Sequence, residues 1–100
     1  TLSEAEIPTR LELTGAAPNP FNPRTTLRFD LPRSGLVRLT LYDQRGRLVR
    51  TLVDSPLAAG HQSADWDGLD HRGAPLPSGV YFARLESSQG VRTMKVTLAK

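Results

Sequence analysis

Apolar residues in this sequence fall on every second position, in short runs, with no long 3.6-residue period competing. Leu27, Phe29 and Leu31 share one face while Arg28 and Asp30 take the other, and Val37, Leu39 and Leu41 repeat the pattern against Arg38 and Thr40. The same period runs through residues 48–53. It continues more weakly through 62–66, with Ala64 and Trp66 inward, and then through 80–86, with Tyr81, Ala83 and Leu85 inward. Residues 92–98 close the series with Met94, Val96 and Leu98 inward, and a short strand at 11–14 brings the count to seven. This alternation suits a strand buried on one side, because successive side chains point to opposite faces of a sheet.

The residues between the runs punctuate them. Asp43-Gln44-Arg45-Gly46 joins two runs directly, and its final Gly suits a type I turn closed by a left-handed residue, so it predicts a hairpin. Residues 87–90 predict a second. Asn19-Pro20 and Asn22-Pro23 flank Phe21 and fix an extended turn, since a residue before proline is driven out of the helical region. Seven short strands at roughly ten-residue spacing, with Gly and Pro turns, predict an all-β fold: a seven-stranded antiparallel immunoglobulin-like β-sandwich.

A chain of 100 residues suffices for one such sandwich. No apolar run approaches the roughly 18 residues of a membrane-spanning helix. Leu, Val and aromatic residues recurring from position 27 to 98 argue against low-complexity disorder. The net charge is +3, and 11 of the 13 basic residues are Arg, the exceptions being Lys95 and Lys100. That balance is too mild to select lipopolysaccharide, acidic polysaccharide or nucleic acid as a partner, and reads first as a solubilising surface. With no Cys there is no disulfide, thiolate metal site or thiol nucleophile. Residues 1–10 are polar and irregular, contain Pro8 and carry no charged-then-apolar leader. They are expected to be a linker remnant after an upstream domain, with the sandwich at 11–100.

Few residues offer chemistry. His61, after Gly60, and His71, in the polar loop 67–73, read as exposed turn residues and serve zinc poorly without Cys. Ser78, in Leu76-Pro77-Ser78-Gly79, lacks the sharp elbow that presents a serine nucleophile. The chain is therefore expected to be no enzyme and to need no cofactor. Asp65, Asp67 and Asp70 form the best metal candidate, because oxygen-rich Asp/Gly loops suit calcium. An EF-hand register fails, since counting from Asp65 puts Asp70 where Gly is required and Leu76 where Glu is required. Asx turns are the competing reading.

A nucleic-acid partner is not expected, because it asks for exposed aromatics within a basic stripe. Phe29, Trp66 and Tyr81 point inward, leaving Phe21, Tyr42 and Phe82, of which Phe21 better plugs one end of the sandwich and Phe82 packs on the outer face. Trp66 is the expected core anchor. Tyr81, directly after Pro77-Ser78-Gly79, sits where a tyrosine corner would bond its hydroxyl to upstream backbone.

Several segments, in order, carry a family likeness. They are Pro18-Asn19-Pro20-Phe21-Asn22-Pro23 with Thr25-Thr26-Leu27-Arg28-Phe29, then Leu31-Pro32 before Gly35, and residues 37–43 with Gly46-Arg47. Residues 49–53, Ala59-Gly60-His61, Trp66-Asp67-Gly68 with Asp70 and Gly73, Pro77-Ser78-Gly79-Val80-Tyr81-Phe82, and Lys95 with Leu98 complete the series. Over 18–100 the chain resembles the C-terminal sorting domain of bacterial type IX secretion cargo, and it is closely similar to the immunoglobulin-like module of flagellar hook-capping proteins.

The first resemblance implies a non-catalytic sorting domain behind a hydrolytic domain of the same chain. The protein would be secreted or held at the outer cell surface, recognised by the translocon's shuttle and sortase proteins, with surface lipopolysaccharide as one anchoring partner. The recognition residues it implies are Pro77, Ser78, Gly79, Val80 and Tyr81, with Lys95 and Lys100 on a final edge strand able to offer backbone groups. The second implies a passive linking module of hook-capping type. A third reading, a carbohydrate-binding module, needs a row of exposed aromatics drawn from Phe21, Tyr42 and Phe82. Motifs that build the sandwich do not separate these functions.

Overall fold

The computed structural model describes residues 7–100. The expected linker falls partly on residues 1–6, outside the described residues, while residues 7–10 are irregular and the core begins at the buried Leu11.

Seven strands follow: β1 (Glu12–Ala17), β2 (Thr25–Leu31), β3 (Gly35–Tyr42), β4 (Leu48–Leu57), β5 (Gly60–Trp66), β6 (Gly79–Ser87) and β7 (Gly90–Leu98). They form a three-stranded sheet ordered β1-β2-β5 and a four-stranded sheet ordered β4-β3-β6-β7, with every pairing antiparallel. The period-two reading is realised most clearly in β2 and β6, while β1 and β4 break it where their pairing register shifts. In β2 and β6 the alternate residues Leu27, Phe29, Leu31 and Tyr81, Ala83, Leu85 are buried, and they meet Leu39, Leu41, Val96 and Leu98 in one core.

Three details depart from the expected pattern. β4 runs to Leu57 instead of stopping near 53, because Ser55, Pro56 and Leu57 pair with Val37, Leu36 and Gly35. Polar residues and a proline hide that extension, and β4 tolerates Pro56 because it is an edge strand. Thr40, on the polar side of β3, is nevertheless buried, its hydroxyl directed at the Arg84 carbonyl 3.4 Å away. His61 is a strand residue and not a turn residue: it stands opposite Asp30 and its ring lies 2.7 Å from the Asp30 carboxylate.

The hairpin turns form as their sequences dictate. Gly46 has φ 81° and its amide donates to the Asp43 carbonyl at 3.0 Å, while Asp43 Oδ1 accepts the Arg45 and Arg47 amides at 2.9 and 3.0 Å. Asp70-His71-Arg72-Gly73 repeats this turn bond for bond, Asp70 Oδ1 accepting the Arg72 and Ala74 amides at 2.9 Å. The two share an Asp-x-Arg-Gly signature in which the carboxylate substitutes for a missing ladder partner.

Because each crossing reverses direction, β1 begins at the end holding the 87–90 hairpin. β7 finishes at the opposite end, beside the 43–47 turn and the loop from Trp66 to Gly79. No helix among the described residues is long and apolar enough to cross a membrane.

Candidate recognition site at one end of the sandwich

The end where β7 finishes is built around three aromatic rings. Trp66, fully buried, lies 5.1 Å centroid to centroid from Phe21 and 5.4 Å from Tyr81, tilted against the first and edge-on to the second. Such contacts add about 0.5–1.5 kcal/mol each beyond area burial. Their larger effect is positional: one core side chain fixes the 18–23 turn, the 66–79 loop and the start of β6. Trp66 Nε1 donates to the Leu69 carbonyl at 3.1 Å, and Arg50 Nη1 ties the same loop through the Asp67 carboxylate at 3.1 Å and the Leu69 carbonyl at 3.2 Å.

Tyr81 forms the expected tyrosine corner, its hydroxyl donating to the Pro77 carbonyl at 2.6 Å. Burial raises its pKa above the usual phenol value, and the negative Asp43 nearby adds to that. Pro77, Ser78, Gly79, Val80 and Tyr81 face Asp43, Gln44, Arg45 and Arg47 across an open depression of about 250 Å³. The Asp43 carboxyl is held below the ordinary carboxylate range, first by the Arg47 amide, then by the Arg45 amide and the Arg47 guanidinium. The depression therefore presents guanidinium groups, the Ser78 hydroxyl and backbone, over an apolar wall from Val80. Its lining sets no nucleophile against a base.

The structure unites most of the sequence-predicted recognition residues and separates one. The Lys100 amide donates to Ser78 Oγ at 3.0 Å, joining the chain's last residue to the 77–81 segment. Lys95 stands elsewhere, opposite Phe82 on the outer face of the four-stranded sheet. The expectation of an open final edge needs correction as well. Asn19 lies along β7, its Nδ2 donating to the Lys95 carbonyl at 3.3 Å and its Oδ1 accepting the Thr97 amide at 2.9 Å. The Phe21 amide then donates to the Thr97 carbonyl, and its carbonyl accepts the Ala99 amide, each at 2.9 Å. The second half of the edge is thus already covered, with the Asn19 side chain imitating a strand's backbone. Asn-Pro in the sequence announces a turn without saying what its amide reaches, so Asn19 carries no signal of this role.

The calcium candidate is corrected too. Asp65 accepts the Thr26 hydroxyl at 2.7 Å, Asp67 accepts the Leu69 amide and Arg50, and Asp70 accepts two amides of its own turn. These carboxylates serve separate loop contacts, and no three His, Asp or Glu side chains converge as a metal set among the described residues. His71 is exposed within the second Asp-x-Arg-Gly turn, its amide donating to the Val49 carbonyl at 2.9 Å.

Comparison with known proteins gives this geometry a context. A family model described as the FlgD Ig-like domain matches residues 22–91. This chain belongs to that family. Over 54 residues, 54% of its length, the FlgD Ig-like chain is 39% identical to the basal-body rod modification protein FlgD of Salmonella typhimurium, and it matches that of Salmonella typhi equally. It spans 23% of the length of these curated relatives.

Among solved structures it superposes on FlgD from Pseudomonas aeruginosa with TM-score 0.59 and 24% identity, covering 92% of this chain and 68% of that one. FlgD from Xanthomonas campestris, a protein described as giving insight into the hook capping essential for flagellar assembly, gives TM-score 0.57 and 22% identity over 88% and 64%. PorZ of Porphyromonas gingivalis, an essential surface component of the type IX secretion system, gives 0.61 and 16% over 86% and 11%. At these identities the three structures establish the fold. Of the two likenesses in the sequence, the FlgD family match supports the hook-capping module.

Proposed function

We propose that this FlgD Ig-like chain is a non-catalytic assembly module of hook-capping type, linking its parent protein to a protein partner through the end of the sandwich around Tyr81. The observation that carries the reading is the family match over residues 22–91. The geometry supports it: Trp66 makes the loops of that end one rigid unit, and Arg45, Arg47 and Ser78 are exposed on it. A preformed surface of this kind avoids the cost of ordering its loops, leaving the loss of side-chain rotamer freedom at Arg45 and Arg47. The test places Arg45→Glu with Arg47→Glu in the full-length parent protein and follows its complexes by native electrophoresis and cross-linking in cells. Loss of the high-mass complex at unchanged abundance is expected. Assembly identical to the unaltered protein overturns the proposal.

A second reading, sorting to the cell surface by a type IX shuttle and sortase, is favoured by one observation: Lys100 and Ser78 of the implied signal meet. Removing the last strand cannot test it, because Val96 and Leu98 belong to the core. Lys95→Glu with Lys100→Glu can. Arrest of the folded protein in the periplasm supports sorting, and normal export rejects it.

A further inference from the structure

The geometry points to self-association of this chain, in which β5 of one copy adds antiparallel to β5 of a second about a two-fold axis at Ser63. A sandwich of two open sheets has an edge strand on each side of each sheet, and here β1, β4 and β7 are guarded. β1 shifts register between Leu13 and Gly15, β4 carries Pro56 and register shifts of its own, and the second half of β7 is covered by Asn19 and Phe21. β5 has none of these defences. It pairs with β2 residue for residue from Gly60 to Trp66, without a shift, and contains no Pro, Lys or Arg. Its other side takes no strand among the described residues, which leaves a row of backbone amides and carbonyls open to pairing.

The strand's own sequence selects a second copy as the occupant. A two-fold axis perpendicular to the sheet keeps inward residues inward, and centring it on Ser63 pairs all 7 residues of β5, the longest ladder the strand allows. That register sets His61 opposite Asp65 of the second copy, twice over by symmetry, on the solvent face. Moving the axis to Gln62 or Ala64 shortens the ladder and loses the match. Both groups have an atom to spare: His61 turns Nδ1 to Asp30 Oδ1 at 2.7 Å, leaving Nε2, and Asp65 takes the Thr26 hydroxyl on Oδ1 at 2.7 Å, leaving Oδ2. An imidazolium donates from both nitrogens, so it joins a carboxylate on each side. Arg10 and Glu12, beside His61 in one depression, pair with each other at 3.9 Å and do not compete. Arg28 stands opposite Ser63, so the outer face of β2 and β5 mixes both signs and does not repel a copy of itself.

Sedimentation equilibrium of the whole chain over a concentration series should show its mass rising from 11.0 kDa toward a dimer. His61→Asp sets Asp against Asp at both symmetry-related pairs and should weaken association about tenfold. Mixed with a chain carrying His61→Lys and Asp65→Lys, it should associate where neither does alone. Ser63→Cys reads the register, since the chain has no other Cys. Under mild oxidation it should form an intermolecular disulfide, and Thr93→Cys, exposed on β7 of the other sheet, should not. Circular dichroism checks that each variant is folded, which the exposure of these positions allows. A monomer at every concentration up to about 1 mM overturns the inference. So does association unchanged by His61→Asp, or equal disulfide formation at positions 63 and 93. A Ser63→Cys chain that links to another protein of the parent's complex and never to itself also overturns it, making the edge a contact for a foreign strand. The Tyr81 end lies outside this edge, so failure here leaves the assembly reading standing, and the Arg45 and Arg47 variants test that separately.

Discussion

Replacing Gly68 by Ala tests the claim that the site end is held by close packing against the 18–23 turn. Gly68 has φ +76°, and a Cβ there would lie 3.0 Å from the Pro23 carbonyl oxygen, 3.6 Å from Phe21 Cε2 and 3.8 Å from Leu98 Cδ1. Gly46 has nearly the same backbone, φ +81°, with nothing within 4 Å of its virtual Cβ. Alanine in the left-handed region costs about 1–2 kcal/mol at either position. Only at Gly68 is there a second cost, because the atom in the way is backbone and relief must shift the segment that carries Asn19 and Phe21; such overpacking costs about 1–3 kcal/mol. Gly46→Ala is therefore expected to lose about 1–2 kcal/mol and Gly68→Ala about 2–5 kcal/mol. In a domain of this size each kcal/mol lowers Tm by about 4–8 °C, so thermal and urea unfolding resolve the difference. Equal shifts for the two variants would refute the packing argument.

Trp66→Ala should destabilise by about 3–5 kcal/mol through cavity formation, measured by urea unfolding, and its loss of any partner would follow from unfolding. Tyr81 is neutral in the fold and its pKa is raised, so its stabilisation is full below the ordinary phenol value of 10.0 and declines as pH rises through the higher folded value. Tyr81→Phe should flatten that alkaline loss in unfolding curves taken across pH 9–12, roughly spanning the phenol range. Asp70 is held low, chiefly by the Ala74 amide and next by the Arg72 amide, and Asp43 likewise by the Arg47 amide. Their contribution is present above the ordinary carboxylate value of 3.8 and vanishes as pH falls through the lower folded values. Asp43→Asn with Asp70→Asn should therefore be least stable relative to the unaltered chain at neutral pH and converge with it in acid.

The alternation of Leu27, Phe29 and Leu31, and of Tyr81, Ala83 and Leu85, exposes sheet and core directly in the sequence because a half-buried strand has only one way to face. Tyr81's hydroxyl bond is legible for a related reason: the partner is four residues away, and local geometry sets it. The site resists reading where its contacts are distant. Asn19 meets Lys95 and Thr97 across 76 and 78 residues, and nothing in Asn-Pro encodes that reach. The same holds for Tyr42 and Phe82, cross-strand partners on β3 and β6 whose adjacency is a property of register. The Asp-x-Arg-Gly repeat lies at the legible extreme: both copies stand in the sequence, and the turn chemistry that fits Asp43 fits Asp70 equally, against a role as a metal ligand.

Seven is an odd number of crossings, and that parity has a mechanical meaning. An even-stranded antiparallel sandwich returns the chain to the end where it entered, so attached segments emerge side by side. Here entry and exit are separated by the length of the sandwich, about 30 Å for a nine-residue strand such as β7. Tension applied through the two termini would run along the strands, loading many ladder bonds together in shear instead of unzipping them one at a time. Segments attached at the two ends of such a sandwich would emerge on opposite sides of it, about one strand length apart.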